Sequence, residues 1–215
     1  VLDHSLSDYL PESAMMRVLV CALLLCVCLS TSAAHFPLTQ VSADQSVPAP
    51  PADQAQIIFL RPSGYFSGML TLLFEGLPDQ ETFIAPIGGR NKVVYTTAPG
   101  RKYFASAFGG GITHYLDAQV EAGRRYYVLV RPIHGYGFQL RPIRHAETDY
   151  SMANPEFPQW LAKSVRVQAA DGERFNDKFK GAVDKARVLG FTRWQEKTPE
   201  QRAELTLLPA DAVDP

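Results

Sequence analysis

Cysteine is scarce and confined to one place: the 215-residue chain has three, Cys21, Cys26 and Cys28, all inside an apolar run near the N-terminus. From residue 35 onward there is none, which excludes disulfides and thiolate chemistry there and leaves the fold to a hydrophobic core. Charge of one sign is equally lacking, with 21 Lys and Arg against 22 Asp and Glu. A balance of that kind demands no nucleic-acid partner, and none is expected. The uninterrupted apolar stretches all fall short of the ~20 residues that a membrane-spanning helix needs. Serine is never framed as Gly-x-Ser-x-Gly, and no glycine run leads into Gly-Lys-Ser or Gly-Lys-Thr, so a hydrolase elbow and a phosphate-cradling loop are both unsupported. The glycine pairs and triplets, Gly88-Gly89 and Gly109 to Gly111, read instead as turns or bulges.

The first of the features present is Met16-Arg17 followed by the apolar run Val18 to Leu29 and then Ser30-Thr-Ser-Ala-Ala34. A basic residue, a short apolar stretch and small residues at a cleavage position predict a signal peptide and hence export, to the periplasm or outer cell envelope. With it cleaved, no permanent transmembrane helix is expected. The fourteen residues before Met15 carry Asp3, Asp8 and Glu12 ahead of the apolar run. They fit no part of such a signal and are read as translation begun upstream of Met15 or Met16. A lipoprotein signal needs a small residue just before its cysteine, whereas Cys26 follows Leu25 and Cys28 follows Val27, so acylation is poorly supported. Residues 1–34 are therefore set apart from the folded protein.

Residues 35–52 contain Pro48-Ala-Pro-Pro51 and predict an extended, polyproline-like tether. From Asp53 to His145 the pattern changes to short alternating stretches separated by turn residues, which is the period-two signature of strands. Eight are expected: Ala55–Arg61, Met69–Glu75, Glu81–Ile87, Lys92–Ala98, Lys102–Phe108, Ile112–Val120, Arg125–Arg131 and Tyr136–Pro142. Pro99-Gly100 predicts a type II turn, with glycine at the positive-φ position. No helical run interrupts the strands, so parallel crossovers are not expected and the economical fold is mainly β, an antiparallel β-sandwich.

Residues 146–215 read as a helical extension. Asn154-Pro155 can start a helix carrying Phe157, Trp160, Leu161 and Val165. Glu173–Leu189 predicts a second helix with Phe175, Phe179, Ala182, Val183 and Ala186 on one stripe and Gly190 ending it. Thr198-Pro199-Glu200-Gln201 supplies a capping box for a third. The extension has a surplus of acid and residues 53–145 a surplus of base, which suits docking of one on the other. Ile58, Leu60, Leu70 and Leu72 make two of the strands apolar on both faces, and their outward side is the surface on which the extension is expected to dock.

The strand end Phe59-Leu-Arg-Pro62, the turn and return Pro99-Gly-Arg-Lys-Tyr103, and the segment Glu121-Ala-Gly-Arg-Arg-Tyr-Tyr-Val128 together resemble the bacterial envelope proteins grouped as domain-of-unknown-function family 2846. The likeness covers roughly residues 54–142. It implies a transthyretin-like or immunoglobulin-like sandwich behind a signal peptide, often a lipoprotein one, and brings no catalytic residues. The chain departs from that pattern in its helical extension and in lacking a clean lipobox.

Candidate chemistry is thin. His35, His114, His134 and His145 have no second ligand at short spacing. His114 and His134 could meet across neighbouring strands, with Asp117 or Glu121 nearby, as a metal site. Ordinary strand and turn histidines are the simpler reading, and no cofactor is expected. Arg61, Arg124, Arg125, Arg131, Arg141 and Arg144 lie at or near strand ends and could form a basic rim for an anionic envelope component or the carboxylates of an envelope protein. The sequence therefore predicts a non-enzymatic binding or structural module of the cell envelope. An exported hydrolase or metal-dependent enzyme is the alternative, and the oligomeric state is left open.

Overall fold

A computed structural model describes residues 39–108, 111–145, 149–170 and 177–213, with only the backbone at 177–179. The signal-like segment, His35, Phe175 and the side chain of Phe179 lie outside the described residues. The described residues all fall in one compact unit, Phe36–Pro215.

The element order is β1 (Thr39–Val41), β2 (Ala55–Arg61), β3 (Thr71–Glu75), β4 (Thr82–Ile87), β5 (Asn91–Thr97), β6 (Gly100–Phe108), β7 (Ile112–Val120), β8 (Arg125–Ile133), β9 (Gly137–Pro142), α1 (Phe157–Lys163), β10 (Val165–Ala169), α2 (Asp177–Gln195), α3 (Pro199–Glu204) and β11 (Thr206–Leu207). The strands form two mixed, mostly antiparallel sheets, ordered β1-β10-β5-β2-β8-β9 and β11-β7-β6-β3-β4. The helices belong to the C-terminal region.

β2 explains the arrangement. All seven of its residues are buried, because it is an interior strand of its sheet with apolar side chains on both faces. Ala55, Ile57 and Phe59 point into a core shared with the second sheet, where they meet Leu73, Phe104 and Leu116. Ile58 and Leu60 point outward, into a cluster with Tyr127, Phe157 and Trp160. On the outer side of the second sheet, Leu72, Phe74 and Tyr115 pack with Val183 and Trp194 of α2.

Three features depart from the sequence expectation. First, β2 pairs with β8 in parallel, with Ile57 opposite Tyr126 and Phe59 opposite Val128. The crossover that parallel strands require is made here by the intervening strands, so no helical run was needed to announce it. Second, the first helix stops at Lys163. Ser164 Oγ donates to the Trp160 carbonyl at 2.6 Å, and Val165, placed by the sequence on the helix stripe, instead starts β10 in parallel with β5. β10 also pairs antiparallel with Thr39–Val41, inside the stretch expected to be a tether. Third, Gly190 does not end α2, which runs five residues further. A Cβ at Gly190 would lie 2.5 Å from the Thr113 carbonyl oxygen, so glycine is there to let the helix backbone approach β7.

Gly100 has the positive φ expected of it, +116, and is the first residue of β6. The capping box of α3 is formed: Gln201 N donates to Thr198 Oγ1 at 3.3 Å, and Thr198 N donates to Gln201 Oε1 at 3.1 Å. Among the described residues no helix is long and apolar enough to cross a membrane.

Candidate functional site

The six arginines expected at a rim are not one rim. Arg61 is fully buried. Its Nη1 donates to the carbonyls of Met69 at 2.5 Å and Ile87 at 3.1 Å, and its Nη2 to that of Phe66 at 2.7 Å. The guanidinium also lies over the Phe138 ring, 4.0 Å from its centroid. Among the described residues no carboxylate pairs with it, and burial pulls its pKa down to about 10, which leaves it charged at neutral pH. Its task is to gather the 62–70 loop onto the strand end, which the sequence could not distinguish from a surface role. Arg125 is likewise structural, donating from Nε to Gln56 Oε1 at 2.6 Å and from Nη2 to the Pro48 carbonyl at 2.7 Å. Arg124 is half-buried on the turn before β8.

Arg131, Arg141 and Arg144 do converge, but on groups of the protein itself. Arg131 donates to Gln139 Oε1 at 3.0 Å and to the Tyr150 hydroxyl. Arg141 donates to Glu204 Oε2 at 2.6 Å. Arg144 Nη2 donates to the Ala203 carbonyl at 2.6 Å and the Thr206 carbonyl at 2.9 Å. The hydrogen bond and charge of Arg141, with smaller contributions from Arg131 and Arg144, hold the Glu204 carboxyl below its usual range.

His114, on β7, has its Nε2 2.6 Å from the Tyr136 carbonyl oxygen, while His134 is exposed in the β8–β9 turn. Asp117 is taken by Arg101, whose Nε and Nη2 donate to its two carboxylate oxygens at 3.1 and 2.8 Å. Among the described residues no three His, Cys, Asp or Glu side chains are grouped to hold a metal ion.

A groove of about 620 Å³ lies between the outer face of β6 and β7 and the helices α2 and α3. Strand alternation places Arg101 and Tyr103 on that face of β6 and Asp117 opposite Tyr103 on β7. From α2 come Phe191 and Trp194, with parallel ring planes at an interplanar angle of 1°. Tyr103 meets both edge-on, at 5.7 and 5.4 Å between centroids. Arg144 and Arg202 complete the lining. Arg202 rests over the Trp194 ring at 5.8 Å and has no carboxylate partner among the described residues. Burial, followed by the charge of Asp117, raises the Tyr103 pKa, so its phenol stays protonated and able to donate. The groove thus offers three guanidinium groups against one carboxylate, above an aromatic floor. Sequence reasoning named Arg144 but missed Arg101, Arg202, Phe191 and Trp194, because the helix expected to end at Leu189 carries the two aromatic residues on its unforeseen last turns.

No described protein family matches the chain, and no curated protein does. Among solved structures, an NMR structure of a protein from Eubacterium rectale is similar at 10% identity over 42% of this chain and 88% of its own, with a TM-score of 0.32. A likeness at that level carries no inference about fold or function.

Proposed function

We propose that this chain is a non-enzymatic binding module of the bacterial cell envelope, exported by the Met15–Ala34 segment, which takes an anionic envelope component in the Trp194 groove. In this reading the two-sheet core is a sandwich of the transthyretin-like or immunoglobulin-like kind that the resemblance to family 2846 implies. The observation that carries the binding reading is the guanidinium surplus over aromatic faces, with Arg202 lacking a carboxylate partner among the described residues. Guanidinium forks recognise carboxylate and phosphate alike, and aromatic faces suit the apolar side of a sugar or lipid. The carboxylate in the groove, Asp117, is engaged at both oxygens by Arg101, which favours binding over acid–base chemistry.

Two measurements test the two halves. Fractionation of cells making the full chain should place it in the envelope or periplasm with its N-terminus near Ala34. Cytoplasmic protein retaining residues 16–34 would overturn export. Purified protein should co-sediment with isolated envelopes less well as salt rises, and Arg202→Ala should weaken co-sedimentation without lowering the melting temperature. Equal co-sedimentation of the two proteins would remove the groove from the proposal.

A further inference from the structure

A second cavity lies at the edge of β7. β11 pairs with β7 only at Asp117 and Ala118, so among the described residues no strand covers that edge over Ile112–Tyr115. The space, about 260 Å³, is bounded by Thr113, His114 and Tyr115 on β7 and by Arg193, Trp194 and Lys197 at the end of α2. The close approach of Gly190 to Thr113 closes one side.

Three residues of this wall carry a buried polar group without a hydrogen-bond partner among the described residues: Thr113 Oγ1, Tyr115 Oη and Trp194 Nε1. Native proteins rarely tolerate such groups, and three around one cavity of this size call for an explanation. Arg193 and Lys197 add two cations with no ion-pair partner among the described residues, and no carboxylate lines the space. Placement near the C-terminus of α2 accounts for their charge, since cations there offset the helix dipole. It does not account for the three buried groups beside them.

The donor inventory narrows the ligand. An indole N–H, a guanidinium and an ammonium can only donate, and a hydroxyl can donate as well as accept. Burial raises the Tyr115 pKa, so its phenol keeps its proton. A cation would be repelled by Arg193 and Lys197, and an apolar ligand would leave every donor unmet. A tetrahedral oxyanion presents acceptor oxygens in several directions at once and fits the volume.

We propose that this cavity binds a phosphate group, held by Arg193 and Lys197 and by the hydroxyls and indole N–H of Thr113, Tyr115 and Trp194. The site is independent of the groove guanidiniums, so Arg202→Ala tests one proposal and Arg193→Gln the other. The phosphate could be the free ion or a lipid headgroup, and the experiment separates these sources.

The chain has two tryptophans, and Trp160 lies on the other sheet. In the full chain labelled with 15N-tryptophan, inorganic phosphate should move the Trp194 indole resonance saturably and leave that of Trp160 in place. Sodium chloride of matched ionic strength should move neither. Arg193→Gln and Lys197→Gln should each weaken the effect about tenfold, as expected for loss of one charge-assisted contact. Tyr115→Phe and Thr113→Val should also weaken it, yet leave the melting temperature of the phosphate-free protein unchanged or raised, because each removes an unpartnered buried hydroxyl. A merely structural hydroxyl would do the reverse. A shift with phosphatidylglycerol vesicles but not with free phosphate would support the site with a lipid headgroup as its source. No saturable shift with either probe, or equal shifts in wild type and in Arg193→Gln, would overturn the proposal.

Discussion

At the scale of single residues, the backbone and the local charge environment decide two outcomes. Gly100 sits at φ +116, and a Cβ there would meet no atom within 4 Å. Substitution is therefore a measurement of backbone strain alone. Gly100→Val should cost about 1 kcal/mol or more, while Gly100→Asn, which tolerates left-handed conformations, should cost less. Thermal unfolding of the two variants checks the order, and equal midpoints for glycine and valine would show that the turn relaxes. His114 gives a pH dependence. Burial is the main cause that lowers its pKa from the ordinary 6.5, with Lys197, Arg193 and Arg131 adding to it and the Tyr136 carbonyl opposing. The unfolded ring therefore binds a proton at a higher pH than the folded one. Stability from the neutral ring is present above about 6.5 and is lost as pH falls below it. His114→Gln should lose less stability than wild type between pH 7.5 and 5 in urea titrations. Parallel losses would mean that His114 does not carry the effect.

At the scale of elements, strands were far more legible than helices. Ala55–Arg61 and Ile112–Val120 have the limits that alternation predicts, because a buried pleated segment must repeat every two residues or expose its core. The ends of α2 were obscure for an equally physical reason. Gly190 looks like a stop signal, yet it serves a close approach to Thr113 that only the tertiary fold creates. β10 escaped notice because Val165 and Val167 fit either period over so short a stretch. The groove suffered accordingly, since Phe191 and Trp194 lie beyond the apparent helix end, and Arg61 reads as a surface residue until the 62–70 loop is seen wrapped around it. α2 is fixed to the second sheet by Val183 and Trp194 and by Arg187, which is fully buried and ion-paired with Glu81. Val183→Asp should consequently destabilise the whole protein by about 3 kcal/mol or more, combining lost packing with the desolvation of a charge. A chevron or urea midpoint like that of wild type would indicate that α2 contributes little to the cooperative unit.

For the whole molecule, the question is whether the C-terminal region could stand apart from the strands before it. Its helices cover the outer faces of both sheets, but its short strands matter more. β10 lies between β1 and β5, and Val167 enters the shared core. β11 lies against β7, and Leu207 enters the same core. Removing residues 147–215 would strip an inserted strand from one sheet and an edge strand from the other. It would also bare Ile58, Leu60, Leu72 and Phe74, which are buried beneath the helices. Exposed apolar faces of that extent favour association, and the newly open strand edges would template it. A chain ending at Ala146 should accordingly unfold at a much lower temperature than the full protein or collect as aggregates during expression, and the 147–215 fragment should lack cooperative unfolding by itself. Circular dichroism melts of the three proteins provide the comparison. An unchanged midpoint for the shortened chain, together with a cooperative transition in the isolated fragment, would mean that two domains fold separately and that the groove is an interface between them.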